Sequence, residues 1–278
     1  MVWQVKFEAS AKKELSKHDH KIQLYINTKM ISQPKYIKFK FPKIPDITCA
    51  FGTRLGGQSR DYFQGNNISF EVGDLRANVL ENRKLAKHKL HFKRLIELKQ
   101  VHGDVLHFDL DGDFLEGSRY EGDGICTSEA RAALMIKTAD CQPIFLVHES
   151  GRYICALHVG WRGNRMNFPG TGLEMFCRHY GINPAEVSVV RGPSLGPCCS
   201  EFNDFHEHWD HRFESYYDMA GKTMDLWSLS RDQLVNGGVR MKNIFSVDIC
   251  TKCNEDLFFS YRGSKQCGRQ GNFVVIEN

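Results

Sequence analysis

Of 278 residues, 41% are hydrophobic, 25% charged and 12% aromatic, globular proportions that suit one large domain or two small ones and exclude a disordered chain. No apolar run is long enough to cross a bilayer, and the opening Met1-Val2-Trp3-Gln4-Val5-Lys6 lacks the basic-then-apolar pattern of a secretory signal, so a cytoplasmic protein is expected. The formal charge of +4 is uneven, with a net +7 in residues 1–43 and −3 in the remainder. A basic head on a near-neutral body does not suit a nucleic-acid-binding domain, and the head reads as a solvated, lysine-rich face. Ten cysteines at irregular spacing imply reduced thiols rather than a disulfide framework.

Taken in order, residues 1–31 predict a strand from Val2 to Phe7 and then a helix on which Ala11, Leu15, Ile22, Tyr25 and Ile26 recur. Pro34, Pro42 and Pro45 mark 32–46 as a connection. The chain thus divides into a basic N-terminal extension, 1–44, and one main domain, 45–278. Ile47–Phe51 reads as a strand and Thr53–Gly57 as a turn. A helix is expected over 74–91, capped by Asp74, with Leu75, Val79, Asn82, Leu85 and Ala86 on one side. Apolar runs follow at Arg94–Val101, Val105–Phe108, Ala132–Ile136, Ile144–His148 and Tyr153–Val159, the last two separated by a hairpin-length loop, Glu149–Arg152. Gly172–Tyr180 predicts a helix stopped by Gly181. Val187–Arg191 reads as a strand, 203–219 as an aromatic, His-rich helix, and Ile244–Ile249 and Phe273–Ile276 as late strands. The interleaving implies a single layered α/β (α+β) sandwich with mixed β-sheets.

The chemistry concentrates in three short stretches. Cys141 lies where an apolar run meets Pro143, and His158 ends the partner strand of the next hairpin. If 144–148 and 153–158 pair antiparallel, both emerge near the same end of the sheet, as zinc ligands, as a nucleophile with its base, or as a core Cys beside a hydrogen-bonded His. His102 ends another run, with Gly103 leaving room beside it. Two imidazoles and one thiolate suit Zn²⁺ with a fourth position open to water or substrate.

These stretches fall within a longer ordered pattern. It comprises Phe51-Gly52-Thr53-Arg54-Leu55-Gly56-Gly57, Asn82-Arg83, Gln100-Val101-His102-Gly103, Thr138-Ala139-Asp140-Cys141-Gln142-Pro143, His158-Val159-Gly160-Trp161-Arg162-Gly163, Gly192-Pro193-Ser194-Leu195-Gly196-Pro197-Cys198-Cys199 and Phe259-Ser260-Tyr261-Arg262. From about residue 45 onward the chain resembles the YfiH/laccase-domain family, also called multicopper polyphenol oxidases and described as purine nucleoside phosphorylases. The resemblance implies a metal and catalytic centre at His102, Cys141 and His158, with zinc as the metal and copper as an alternative. It also implies substrate contacts from Arg54 and Arg262, phosphorolysis of adenosine, inosine and methylthioadenosine, and an accompanying adenosine deaminase activity. The fold it implies is a YfiH-like layered sandwich grouped with cysteine hydrolases. Asp140 is placed with Arg54 and Arg262 among the substrate-binding residues and is open to three readings, orienting an imidazole, accepting a proton or shaping a turn. Purine nucleoside and phosphate are the expected partners, in a monomer or homodimer. The chain departs from the family pattern at Asn164–Pro169 and at Gly263, which follows Arg262 where a second arginine is common.

Other readings compete. A cell-wall precursor editing hydrolase would use the same Cys/His centre for amide hydrolysis. A copper-dependent polyphenol oxidase needs clustered copper ligands, and only His18-Asp19-His20 and His206-Glu207-His208 have the His-x-His form, in contexts that read as solvated surface. A zinc deaminase of the His-x-Glu, Pro-Cys-x-x-Cys type fits poorly, because no His is followed two positions later by Glu. Cys250-Thr251-Lys252-Cys253 is a lone Cys-x-x-Cys; it could join Cys198 and Cys199 on a metal, but reads rather as paired buried thiols near a strand end. Gly192-Pro193-Ser194-Leu195-Gly196 matches a nucleophile elbow, yet Pro197 denies it the helix and no Asp-then-His order follows, so it reads as a turn.

Overall fold

Successive side chains along the strands point to opposite faces and so feed separate layers of the protein, whose computed structural model describes residues 34–277. The strands are β1 (Tyr36–Phe41), β2 (Ile44–Gly52), β3 (Arg94–Ile96), β4 (Leu106–Phe108), β5 (Gly124–Thr127), β6 (Ala132–Thr138), β7 (Gln142–His148), β8 (Ile154–Val159), β9 (Val187–Arg191), β10 (Tyr217–Asp218), β11 (Thr223–Met224), β12 (Ile244–Ser246) and β13 (Gln270–Ile276). The helices are α1 (Arg76–Leu90), α2 (Trp161–Arg165), α3 (Phe168–Tyr180), α4 (Phe205–His208) and α5 (Leu226–Asn236).

Two mixed sheets carry the fold, one in the order β1-β2-β13-β6-β3 and the other β12-β9-β7-β8-β5-β4. Most neighbours are antiparallel, while β3 with β6, β4 with β5 and β12 with β9 run parallel. Ile47, Cys49, Phe51, Leu134, Ile136 and Val274 from the first sheet meet Phe145, Val147, Ile154 and Ala156 from the second in the central core. The Phe51 and Phe145 rings stack across this layer with centroids 5.2 Å apart and planes 6° from parallel. Residues one step along point outward: Ala50, Ala133, Met135 and Phe273 pack against Ala86 and Leu90 of α1. On the other side, Ile144, Leu146, Leu157 and Val189 pack against Phe168, Leu173 and Phe176 of α3 and Leu234 of α5. The order of layers is helix, sheet, sheet, helices, with both sheets buried on two faces, which agrees with the mixed-sheet sandwich read from the sequence.

Several local expectations hold. The β7–β8 pair is an antiparallel hairpin around 149–152 with Pro143 opposite His158. Helix α3 ends at Gly181, whose φ of 63° is left-handed, though it begins at Phe168, ahead of the expected Gly172. Others are corrected. Residues 32–46, read as a connection, contain β1 and the start of β2, because Pro42 sits in the turn between them and Pro45 lies outside the β13 register. Asp74 does not cap α1; Leu75 is the N-cap residue and 70% exposed, and the Asp74 carboxylate instead accepts from Ser59 Oγ and Asn67 Nδ2. The helix expected over 203–219 is broken into α4, a 3-10 turn at His211–Tyr216 and β10. It breaks because Phe205, Trp209 and Phe213 must all reach one cluster, while Asp204 and Asp210 each cap a separate short turn. The strand and helix expected within residues 1–31, and His18 and His20, lie outside the described residues.

Candidate active site

The chain passes from one sheet to the other over Ala139-Asp140-Cys141, between the end of β6 and the start of β7. Asp140 makes this crossing with a left-handed φ of 91°. Its carboxylate accepts from Thr251 Oγ1 and from the Arg262 backbone N–H, both at 2.6 Å, and its carbonyl accepts from Leu195 N–H. Asp140 is therefore the fastener of the crossing and contacts neither imidazole of the centre by hydrogen bond.

Cys141, half-buried on the far side of this fastener, meets His158 from β8 and His102 from the loop after β3. The ligand atoms of the three side chains all lie within 4.8 Å of one another, with Cys141 Sγ 3.8 Å from His102 Nε2. The two imidazoles meet edge to face at 4.8 Å between centroids. Gly160 leaves the space they need: a Cβ there would come within 3.1 Å of Cys141 Sγ and 3.2 Å of His102 Cδ2. Gln100 aligns the His102 loop by exchanging two 2.8 Å hydrogen bonds with the Lys137 backbone, continuing the β3–β6 pairing with a side chain.

Asp123, fully buried ahead of β5, organises the centre. One carboxylate oxygen accepts from His158 Nδ1 at 2.7 Å and His102 N–H at 3.0 Å; the other accepts from the N–H groups of Val101 and Gly103. This fixes the left-handed His102 (φ 60°) and leaves His158 Nε2 to face Cys141. Burial alone would raise the Cys141 thiol, but the His158 charge and hydrogen bonds from both imidazoles outweigh it and bring it down to about 6. Burial opposes charge on His158 too, yet the Cys141 thiolate and the Asp123 hydrogen bond lift it to about 9. Burial likewise raises Asp123, but its hydrogen bond to His158 brings the net shift below the usual carboxylate range. A thiolate–imidazolium pair oriented by a buried carboxylate results.

The centre opens on a cleft of about 590 Å³. Arg162, Arg262 and Arg269 supply positive charge along it, and Phe202, Tyr261, Trp161 and Leu195 supply apolar surface. Arg262 Nη1 is held by the carbonyls of Cys199 and Glu201, and Arg269 Nη1 by those of Cys267 and Gly268. A Cβ at Gly263, beside Arg262, would meet only the flexible end of the exposed Glu255 side chain, which is free to move aside. Ser200 adds a buried hydroxyl with no hydrogen-bond partner to the lining. Arg54 does not line the cleft; its guanidinium lies 4.9 Å over the Phe259 ring and donates to the Glu255 carbonyl.

Asp123, Lys137, Arg269 and Ser200 were not read from the sequence. Asp123 sits in Gly122-Asp123-Gly124, which carries no motif, although an acid between glycines before a short apolar run is the one available hint. Lys137 lies within a strand and is neutralised by Glu97 at 2.8 Å and Glu71 at 3.0 Å. Asn82 and Arg83 prove structural: Arg83, 0% exposed, makes a bidentate pair with Glu97, and Asn82 ties down the 58–67 loop. Asn164, in the divergent 164–169 stretch, bridges Gln142 of β7 to Ser230 and Gln233 of α5. Ser194 is buried against Arg191 and Trp227, without a histidine among its partners, as a turn residue would be.

Fold and site together define a mixed α/β protein with an open His/Cys/His centre at the seam between two sheets. The chain belongs to the family described as multi-copper polyphenol oxidoreductase laccase, whose family model matches residues 48–277. It is 31% identical over 251 residues to the protein named purine nucleoside phosphorylase YfiH of Escherichia coli, covering 87% of this chain and 99% of that one. It is 29% identical over 256 residues to purine nucleoside phosphorylase YlmD of Geobacillus stearothermophilus, covering 84% and 91%. The crystal structure of YlmD from Geobacillus stearothermophilus superposes with a TM-score of 0.80 at 28% identity, over 89% of this chain and 99% of that one. That of the Bacillus licheniformis hypothetical protein YfiH gives 0.79 at 25% identity, over 88% and 96%. Among the described residues no helix is long and apolar enough to cross a membrane.

Proposed function

We propose that the protein is a purine nucleoside phosphorylase that cleaves adenosine, inosine and methylthioadenosine with phosphate, with zinc held by His102, Cys141 and His158. The observation that carries this reading is the pairing, in one cleft, of a three-donor centre with two arginines fixed by backbone carbonyls. The names of the relatives support the reaction class.

The donor set fits zinc. Zn–S and Zn–N bonds of about 2.3 and 2.0–2.1 Å place tetrahedral S and N donors roughly 3.5 Å apart, close to the 3.8 Å between Cys141 Sγ and His102 Nε2. Bound there, zinc supplies a Lewis acid facing the cleft. The protein's own part is positioning. Phosphorolysis needs a dianionic phosphate held on one face of C1′ while positive charge grows there and the purine leaves from the other. Guanidinium groups match phosphate oxygens by paired N–H donors, and Arg262 and Arg269 face the cleft for that task. Arg54, committed to the Glu255 carbonyl, supports the wall rather than the anion. Trp161, Phe202 and Tyr261 offer surface to a purine. Adenosine deamination in the same cleft is part of the proposal.

The test is phosphate dependence. Ribose 1-phosphate and free adenine should appear from adenosine only with added phosphate, and Cys141→Ala should lose at least about a thousandfold in turnover, the scale of removing a group that acts in the transition state. Inosine formed from adenosine without phosphate tests the deaminase activity. Turnover unchanged in Cys141→Ala would overturn the assignment.

One observation favours a second reading: Cys141, His158 and Asp123 also form a nucleophile, base and orienting carboxylate in sequence of contact. An amide hydrolase acting on a cell-wall precursor would release product without phosphate and through a trappable acyl-Cys141. Support for copper-dependent polyphenol oxidation is weaker, since His206 and His208 do not converge with the centre.

A further inference from the structure

Four of the ten cysteines gather outside the centre described above. Cys198 and Cys199 lie on the loop after β9, and Cys250 and Cys253 on the turn after β12. A parallel bridge between Ser194 and Cys250 joins the two segments. The four sulfurs all lie within 4.8 Å of one another. Cys253 Sγ is 3.6 Å from Cys198 Sγ and 3.5 Å from Cys199 Sγ. Disulfide sulfurs stand about 2.0 Å apart, whereas four thiolates around zinc, at about 2.3 Å each, stand roughly 3.8 Å apart.

We propose that Cys198, Cys199, Cys250 and Cys253 bind one zinc ion in a closed, four-sulfur structural site, separate from the His102, Cys141 and His158 centre. Local geometry suits this. Cys199 N–H donates to the Gly196 carbonyl, closing a tight turn that presents both vicinal thiols. Gly196 has no room for a side chain, since a Cβ would meet Cys250 Cβ at 3.0 Å and Cys198 Sγ at 3.2 Å. Backbone N–H groups of Cys253 and Gly196 donate to the Cys250 sulfur and fix where it points. Four soft sulfur donors select zinc over the hard cations magnesium and calcium, and four filled positions leave none for substrate.

The site clamps a wall of the cleft. Thr251, inside the Cys-x-x-Cys, donates to Asp140 beside Cys141. The Cys199 carbonyl accepts from Arg262 Nη1, and Leu195 and Ser200 flank the turn and line the cleft. Zinc here ties the loops that hold the phosphate-facing arginine to the crossing that holds the thiol.

The test uses the full-length His102→Ala, Cys141→Ala chain, purified without chelator under reducing conditions, so that the outcome does not depend on the first centre. One tightly bound zinc per chain is expected, lost in a further Cys250→Ser, Cys253→Ser variant. Cobalt loaded in place of zinc should give the thiolate charge-transfer and ligand-field absorption of a tetrahedral four-sulfur site. Should the serine variant fail to fold, thiol labelling of the parent chain decides: Cys198 and Cys253 are exposed, and their labelling should rise by about tenfold or more when a strong chelator is added. Labelling that is immediate with or without chelator would overturn the proposal. So would a zinc-free chain, or thiols missing until reductant alone restores them.

Discussion

Two thiol-bearing clusters stand on either side of Asp140, and they differ in what surrounds the sulfur. Around Cys141 the partners are imidazoles, one of them held by the buried Asp123 carboxylate, and the sulfur faces a cleft. In the cluster of Cys250 and Cys253 the partners are other sulfurs, with backbone N–H groups reaching Cys250, and neither a carboxylate nor an imidazole belongs to the set. The first is mounted on sheet ends fixed by strand register, the second on two loops. On the functions proposed above, a mixed, incomplete donor set on a rigid frame would leave a coordination position for chemistry, while a complete set of four thiols on loops would fasten them.

Breaking the orienting carboxylate should have the largest effect. Asp123→Asn keeps the shape but weakens the hold on His158 and on the backbone N–H groups of 101–103. Metal affinity and turnover should each fall by about 10–100-fold, measured by competitive chelation and by phosphorolysis rate, with the four-cysteine cluster untouched. Equal loss of metal from both clusters would erase the contrast.

Titration sharpens it next. In the metal-free chain, Cys141 is depressed to about 6 and Cys198 is pushed up to about 12 by burial and neighbouring sulfurs. A depressed thiol stays ionised until pH falls through its own value, so alkylation of Cys141 should hold steady from pH 8 to 7 and drop about tenfold by pH 5. Cys198 should react slowly throughout that range and accelerate only in strong base. Mass-spectrometric mapping of iodoacetamide adducts separates the two. A Cys141 midpoint near 9 would remove the thiolate–imidazolium pair from the site.

The smallest expected difference lies between two arginines. Arg262→Ala should raise KM for phosphate by about five- to tenfold with little change for the nucleoside, as expected for loss of one charge-assisted contact. Arg54→Ala should change the phosphate KM by less than about twofold, because that guanidinium sits on Phe259 away from the cleft. Reversed magnitudes would move the anion to the Arg54 side.

Legibility in the sequence followed the reach of the interactions. The β7–β8 hairpin was readable because its loop is short and its pairing local, and it carried Cys141 and His158 to one end. His102, at the end of another apolar run beside Gly103, completed the donor set, and the family pattern then contained all three. Asp123 was not readable: a buried acid is justified only by partners 20–35 residues away, and nothing in Gly122-Asp123-Gly124 announces them. The strand β1 was missed because Pro42 reads as a breaker until one sees that it occupies the turn. The 203–219 helix failed because its aromatics answer to a tertiary cluster rather than to helical spacing. The four cysteines could be counted but not brought together, since two separate chain segments must first align beside β9 and β12.

Thr138 ends a strand in one sheet and Gln142 begins a strand in the other. Four Cα steps extend to about 14 Å at most, while packed sheets lie roughly 10 Å apart, so the span has little slack. The sulfur at this crossing thus works as a calliper on the thickness of the sandwich: the filling between the sheets, Phe51 against Phe145 above all, sets how far apart the crossing's two ends are held.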